Sequence, residues 1–250
     1  MTSAATRTHP YVADASQAGW GPGRTRARGL PRARTVLAVT ARPGVESTAL
    51  GGLLYAFGEA GTRVTLLSLT RGEASVFNST SSRLEAVRPW ELQLASWLLG
   101  VSSVAVADFP DGGLSCCPMT DLTDRVRRAI AEQAPDLILV LDPAAGTSDD
   151  SSAAQAVILA AGPAGLRVAA RTMPGASSGW AVEFGAATDA ARAVQRAAAR
   201  AHASQCDALP EELRRLDGLG GREQLRWLVP AAIQPAGPSG PEIASQVFPG

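Results

Sequence analysis

Apolar positions in this chain fall into short consecutive blocks separated by stretches of helical spacing. Residues 35–41 (TVLAVTA), 63–70 (RVTLLSLT), 104–107, 137–141 (LILVL) and 166–170 are the blocks. Consecutive aliphatic and β-branched residues over so few positions predict strands buried on both faces, as in a parallel sheet. Residues 46–60, 83–99, 122–132, 152–161 and 189–204 space their apolar residues by three and four and predict helices; in the second of these, Leu84, Val87, Leu92, Ala95 and Leu98 carry the period. Gly61 and Gly100 follow two of the helices as C-caps. Strand and helix in alternation predict an α/β fold, a Rossmann-like, mostly parallel sheet with helices on both faces. Ligands of such sheets sit beyond the carboxyl ends of the strands. That rule selects residues 41–48, 70–75, 108–114 and 142–152, which hold Glu46, Glu73, Asp108, Asp111, Asp142, Asp149 and Asp150.

Composition narrows the chemistry. The 250 residues are 46% hydrophobic and 18% charged, which suits one packed domain. Acidic and basic residues number 23 each, so no net field attracts nucleic acid. Every basic residue is arginine; the absence of lysine excludes Schiff-base chemistry and a Walker A loop. His9 and His202 are the two histidines, too few for a multi-histidine metal site within the domain. Cys116, Cys117 and Cys206 read as reduced thiols, and a nucleophilic cysteine would need a lowered pKa that nothing here supplies. With no apolar run near the roughly 18 residues of a membrane span and no apolar leader, a cytoplasmic protein is expected. The expected partner is a small molecule, with no nucleic acid, membrane or cofactor.

Residues 1–33 read as a flexible tail with arginines at Arg24, Arg26, Arg28 and Arg32, residues 34–230 as the α/β domain, and residues 231–250 as a Pro- and Gly-rich tail. The first strand leads into ARPGVESTALGG, which lacks dinucleotide-fingerprint spacing. Gly51 and Gly52 suit close packing of a helix on the sheet. Arg42 stands at a strand's carboxyl end, either in a surface ion pair or as a cation for an anionic ligand.

Several motifs occur in the order of a known family. VLAVTARPGVESTALGG and GTRVTLLSLTRGE are followed by Arg88-Pro-Trp-Glu-Leu, Leu99-Gly-Val, Phe109-Pro-Asp-Gly, Pro135-Asp136 before the fourth strand, and His202-Ala-Ser-Gln. This set resembles the LmbE-like (PIG-L) de-N-acetylases, from about Thr35 to Pro230. The resemblance implies a first motif His-Pro-Asp-Asp-Glu and a second motif His-Pro-Asp-His. Zinc is held by the first motif's histidine and second aspartate and by the second motif's last histidine. The first motif's first aspartate is the general base.

At those positions this chain has Arg42, Val45, Ser151 and Gly44, while Pro43 and Glu46 are kept. Ser148-Asp149-Asp150-Ser151 stands in the second motif. No ligand type survives, so the resemblance implies the scaffold without its ion. Arg42 is expected near the lost ion, held by Asp142, Asp150 or Glu46, where it would stabilise an oxyanion. His202 would then supply a base, or else crosslink its helix. Arg88 and Asp111 match positions that line the family's sugar site; the plainer reading is an Arg88–Glu91 pair and a turn-capping Asp111. The catalytic set is therefore Arg42, Glu46, Asp150 and His202, and the substrate-binding set Arg88, Asp111, Asp142 and Asp149.

The lysine-free, Ala- and Arg-rich composition suits an actinobacterial genome and natural-product biosynthesis. Three functions remain open: a metal-independent enzyme, a pseudoenzyme that binds or scaffolds, and a zinc amidase with unusual ligands. Arg42→His alone is expected to bring no zinc binding, because Val45 and Ser151 still cannot ligate; a stoichiometric zinc by elemental analysis of that variant would refute this.

Overall fold

The computed structural model describes residues 27–74, 81–172, 179–206 and 210–229. Strands β1 (Thr35–Thr40), β2 (Arg63–Thr70), β3 (Ser103–Phe109), β4 (Leu137–Leu141), β5 (Arg167–Arg171), β6 (Trp180–Glu183) and β7 (Arg222–Val229) form one sheet in the order β3-β2-β1-β4-β5-β7-β6. The first five run parallel, in register from Val36 opposite Val64 and Leu137. β7 is antiparallel to β5 and β6 antiparallel to β7. The five expected strands are present within three residues at each end. β6 and β7 extend the sheet beyond what the apolar blocks indicate.

The helices are α1 (Val45–Thr48), α2 (Gly51–Glu59), α3 (Ser81–Leu98), α4 (Met119–Gln133), α5 (Ser148–Ala161), α6 (Thr188–Ala201), α7 (Ala203–Cys206) and α8 (Pro210–Asp217). Strand side chains alternate between two cores, as the two-residue repeat requires. Val36, Ala38, Leu66 and Leu139 pack with α2, α3 and α6; Leu37, Val39, Leu67, Ile138 and Val140 pack with α4 and α5.

The helix expected over 46–60 is broken between α1 and α2. Gly51 and Gly52 do pack closely, but on α6 rather than on the sheet. A Cβ at Gly51 would lie 2.8 Å from Gln195 Cγ, and one at Gly52 2.6 Å from Arg192 Nη1. That approach lets Gln195 Nε2 donate to the Ser47 and Thr48 carbonyls, at 3.0 and 3.3 Å, satisfying the end of α1.

Arg192 anchors the same face. Its Nη1 donates to Gln195 Oε1 and to Glu223 Oε1, and its Nε to the Gly220 carbonyl; Arg171 Nε meets the other oxygen of Glu223 at 2.9 Å. All three ionic side chains are buried. The network ties α6 to β5 and β7.

Residues 27–33 were expected to belong to a flexible tail, but they pack on the sheet. Ala27 and Leu30 are buried, Arg28 exchanges backbone hydrogen bonds with Glu183 at 2.8 Å, and Trp180 Nε1 donates to the Gly29 carbonyl. Residues 1–26, with His9, Arg24 and Arg26, and the expected tail at 231–250 lie outside the described residues.

Removing one partner of a buried ionic network leaves uncompensated charge. Glu223→Ala removes the carboxylate shared by Arg171 and Arg192 and is expected to lower unfolding free energy by about 3–5 kcal/mol in urea denaturation. Asp124→Ala, which removes an exposed pair with Arg127, is expected to leave the midpoint unchanged. Equal midpoints for the two variants would refute the role given to the network.

Candidate functional site

β1 and β4 are neighbours, but their chains continue to opposite sides, β1 toward β2 and β4 toward β5. The crevice between their carboxyl ends is the sheet's topological switch point. The loop after β1 brings Arg42 to it, and the loop after β4 brings Thr147 and Asp150. Arg42 Nη1 donates to Thr147 Oγ1 at 3.3 Å and lies 3.8 Å from Asp150 Oδ2. Thr147 and Asp150 are fixed by the helix they start. Thr147 is the N-cap of α5, and Asp150 Oδ2 accepts from both the Thr147 amide and its hydroxyl at 2.8 Å, which closes a capping box.

Of the side chains expected to hold Arg42, Asp150 does so. Asp142 is taken instead by the Arg226 guanidinium from β7, which with the Ala144 amide holds its carboxyl below the usual range. Asp149 is also engaged: its Oδ1 accepts from the Leu114 amide at 3.1 Å. Ser151, the position matched to a ligating histidine, turns away and donates to the Pro143 carbonyl at 2.7 Å.

Glu46 and His202 meet behind the crevice. His202 Nε2 lies 2.5 Å from Glu46 Oε1, with the two side chains 2% and 0% exposed. Ser47 Oγ donates to the same oxygen and the Gly44 amide to the other. Burial alone would push the Glu46 carboxyl up, but the His202 charge and these donors bring it below its ordinary value. Burial likewise opposes the imidazolium, yet the Glu46 carboxylate raises His202 above its ordinary value. His202 is thus a crosslink between α1 and the end of α6. Its Nε2 is committed, and the side chain is not open to the crevice as a base would be.

The expected sugar-side residues converge beside Pro43. A Cβ on Gly72 would lie 3.1 Å from both Pro43 Cδ and Arg88 Cδ, so the bare glycine lets Arg88 lie across the β2–α3 turn. Asp111 accepts from the Ala74 amide at 3.0 Å, and its own amide donates to Glu73 Oε1 at 2.9 Å. Burial raises the Asp111 carboxyl and lowers the Arg88 guanidinium; the Arg42 charge reaches both. The Arg88–Glu91 pair does not form: Glu91 accepts from the Ser204 amide and hydroxyl, at 2.8 and 2.6 Å. Next to Glu73 an open recess of about 240 Å³ is lined by Arg71, Glu85, Asp108 and Phe109.

Cys117 is no activated nucleophile, since burial and nearby acids push its thiol up. Sequence reasoning missed Thr147 and Gln205. The Thr-x-x-Asp spacing of a capping box was the available signal for the first; Gln205 closes the His202-Ala-Ser-Gln motif but was given no role, and it donates to the Pro43 carbonyl at 3.3 Å.

The family model for GlcNAc-PI de-N-acetylases (PIG-L) matches residues 37–161, half of the chain. The chain belongs to this family. Solved structures share the fold. N,N′-diacetylchitobiose deacetylase from Pyrococcus horikoshii is 17% identical with a TM-score of 0.67, over 79% of this chain and 84% of that one. The A40926 pseudoaglycone deacetylase Dbv21 is 19% identical with a TM-score of 0.60, over 78% and 96%. The 4-carboxy-2-hydroxymuconate hydratase GalB from Pseudomonas putida KT2440 is 18% identical with a TM-score of 0.60, over 81% and 99%. A comparison with curated proteins gives no match.

The residues of this PIG-L-family crevice do not fit the zinc ion that the resemblance implies. Val45 is buried apolar, and a guanidinium faces Asp150. Gly44 has φ +98°, and a Cβ there would lie 2.8 Å from Gln205 Oε1, so the space of the family's base is taken. Among the described residues, no group of three His, Cys, Asp or Glu side chains could hold a metal ion.

The Glu46–His202 pair gives stability a defined pH response. Glu46, lowered when folded, contributes fully above its ordinary 4.5 and loses that contribution as pH falls through its lower folded value. His202, raised when folded, contributes fully below its ordinary 6.5 and loses it as pH rises through its higher folded value. The pair's contribution is therefore expected to be flat between those ordinary values and to fall on both sides. Thermal melts of wild type minus His202→Ala across pH should show this plateau, and a difference that grows above pH 6.5 would contradict it.

Proposed function

We propose that the protein is a metal-independent enzyme on the de-N-acetylase scaffold, acting on an amide- or sugar-bearing small molecule in bacterial secondary metabolism. The observation that carries this reading is the Arg42–Thr147–Asp150 constellation at the switch point, where a fixed cation and a carboxylate face one crevice. A guanidinium cannot generate hydroxide, but it can stabilise an oxyanion. Asp150 Oδ1 has no hydrogen bond and is the oxygen left to take a proton; it is buried here, so a bound substrate has to open it to the crevice. In amide hydrolysis the water's oxygen adds to the carbonyl carbon while its proton passes to Asp150. The oxyanion lies against Arg42. The C–N bond then breaks, and the amine leaves with that proton. Dbv21, the deacetylase of the antimicrobial A40926 pseudoaglycone, supports the natural-product setting. GalB, a hydratase, supports the fold's use for chemistry other than deacetylation.

A binding or scaffold subunit is the second reading. It is favoured by the commitment of His202 and Glu46 to each other, which removes two expected catalytic groups from the crevice.

The test is acetate release from a panel of N-acetylated amino sugars and amines, with and without excess 1,10-phenanthroline. Activity should survive the chelator. Arg42→Ala should lower kcat by roughly 10²–10³, the usual cost of losing an oxyanion donor. Activity that the chelator abolishes and zinc restores would contradict the proposal; ligand binding without turnover of any panel member would favour the second reading.

A further inference from the structure

Among the described arginines, Arg88 is unlike the other buried ones. It is 5% exposed, its Nε is buried without a hydrogen bond, and no carboxylate lies within ion-pair distance among the described residues. Arg192 instead donates to two side chains and two carbonyls. Arg171 meets Glu223, and even the half-buried Arg226 forks onto Asp142.

A guanidinium withdrawn from water without such partners is costly unless something else meets its donors. Arg42, one-third exposed, is similarly under-used. It donates to one hydroxyl at 3.3 Å and stands 3.8 Å from Asp150, beyond hydrogen-bond reach. The two belong to one charged neighbourhood: the Arg42 charge reaches Arg88, and Pro43, the residue after Arg42, meets Arg88 across the bare face of Gly72. Each therefore carries a charge that burdens the other, and neither has a carboxylate within hydrogen-bond distance.

We propose that Arg42 and Arg88 together bind a carboxylate group of the protein's ligand at the head of the β1/β4 crevice. Two planar forks of N–H donors match the two oxygens of one carboxylate, and charge-assisted bonds of this kind are the strong ones. The neighbouring acids choose between anions. Asp111 and Glu73 are occupied by backbone amides rather than by arginine, and Asp150 by Thr147. Their negative charge opposes a dianion more than a monoanion, which favours a carboxylate over a phosphate. Resting on the reading of this crevice as the small-molecule site, the inference names the substrate class: an N-acylated carboxylic acid rather than a neutral amide.

Ligand-observed NMR titration of the full chain tests it, with N-acetylglycine, its methyl ester and inorganic phosphate as probes. The acid should bind roughly tenfold or more tightly than the ester or phosphate. Arg42→Gln and Arg88→Gln should each weaken acid binding roughly tenfold and ester binding far less, so that the preference for the acid is lost. Should Arg88→Gln fail to fold, the more exposed Arg42→Gln carries the test alone. Equal binding of acid and ester, phosphate binding as tight as the acid, insensitivity to Arg42→Gln, or no binding of any probe overturns the proposal. Acetate release from neutral amides with no preference for the acid leaves the enzymatic reading standing and removes this one. Tight acid binding without acetate release does the reverse.

Discussion

A guanidinium at the carboxyl end of β1 is the constraint around which the cleft is organised. A guanidinium presents a fork of N–H donors, so the loop opposite must present acceptors. Thr147 and Asp150 do so while also capping α5, and the same atoms therefore hold a helix end and face the cation. The capping box fixes Asp150 toward the crevice and turns Ser151 away from it. Arg42 and Asp150 oppose each other, so the carboxylate meets a positively charged side chain in the crevice. Of the other implied ligand positions, Val45 is buried and apolar and Ser151 is taken by the Pro143 carbonyl.

Rigid support lies on the other side of α1. The crosslink of Glu46 to His202 joins the start of the cleft loop to the end of α6, and Gln195 satisfies the carbonyls where α1 ends. Gly51 and Gly52 permit that approach by having no side chains. Arg192, Glu223 and Arg171 extend the chain of contacts to the antiparallel edge. Two of the four residues expected to be catalytic, Glu46 and His202, are thus positioning residues for the loop that carries Arg42.

The parallel half of the fold was legible because its strands are apolar on both faces; LILVL admits few other readings. The antiparallel half was not. REQLRWLV mixes charged and apolar residues without a clear period and WAVE is only four residues long, so neither stands out as an apolar block. Family order was readable from Arg88, Asp111 and Pro135-Asp136. The last has a structural role, since Asp136 accepts from the amides of Arg34 and Thr35 at the far end of the sheet. Pairings across long separations were not readable. Arg226 taking Asp142, and His202 taking Glu46, depend on a sheet edge and a helix end that no local pattern locates. The choice between Ser151 and Asp150 opposite Arg42 turned on a helix start four residues earlier than the apolar period suggests.

The central claim is that a side-chain cation occupies the place of an ion in this crevice. Anomalous scattering at the zinc edge, from crystals of the protein grown with excess zinc, tests it most directly. The account predicts no peak among Arg42, Thr147 and Asp150, with the guanidinium ordered there. A peak in that crevice with protein oxygen or nitrogen atoms at about 2.0–2.2 Å would contradict it.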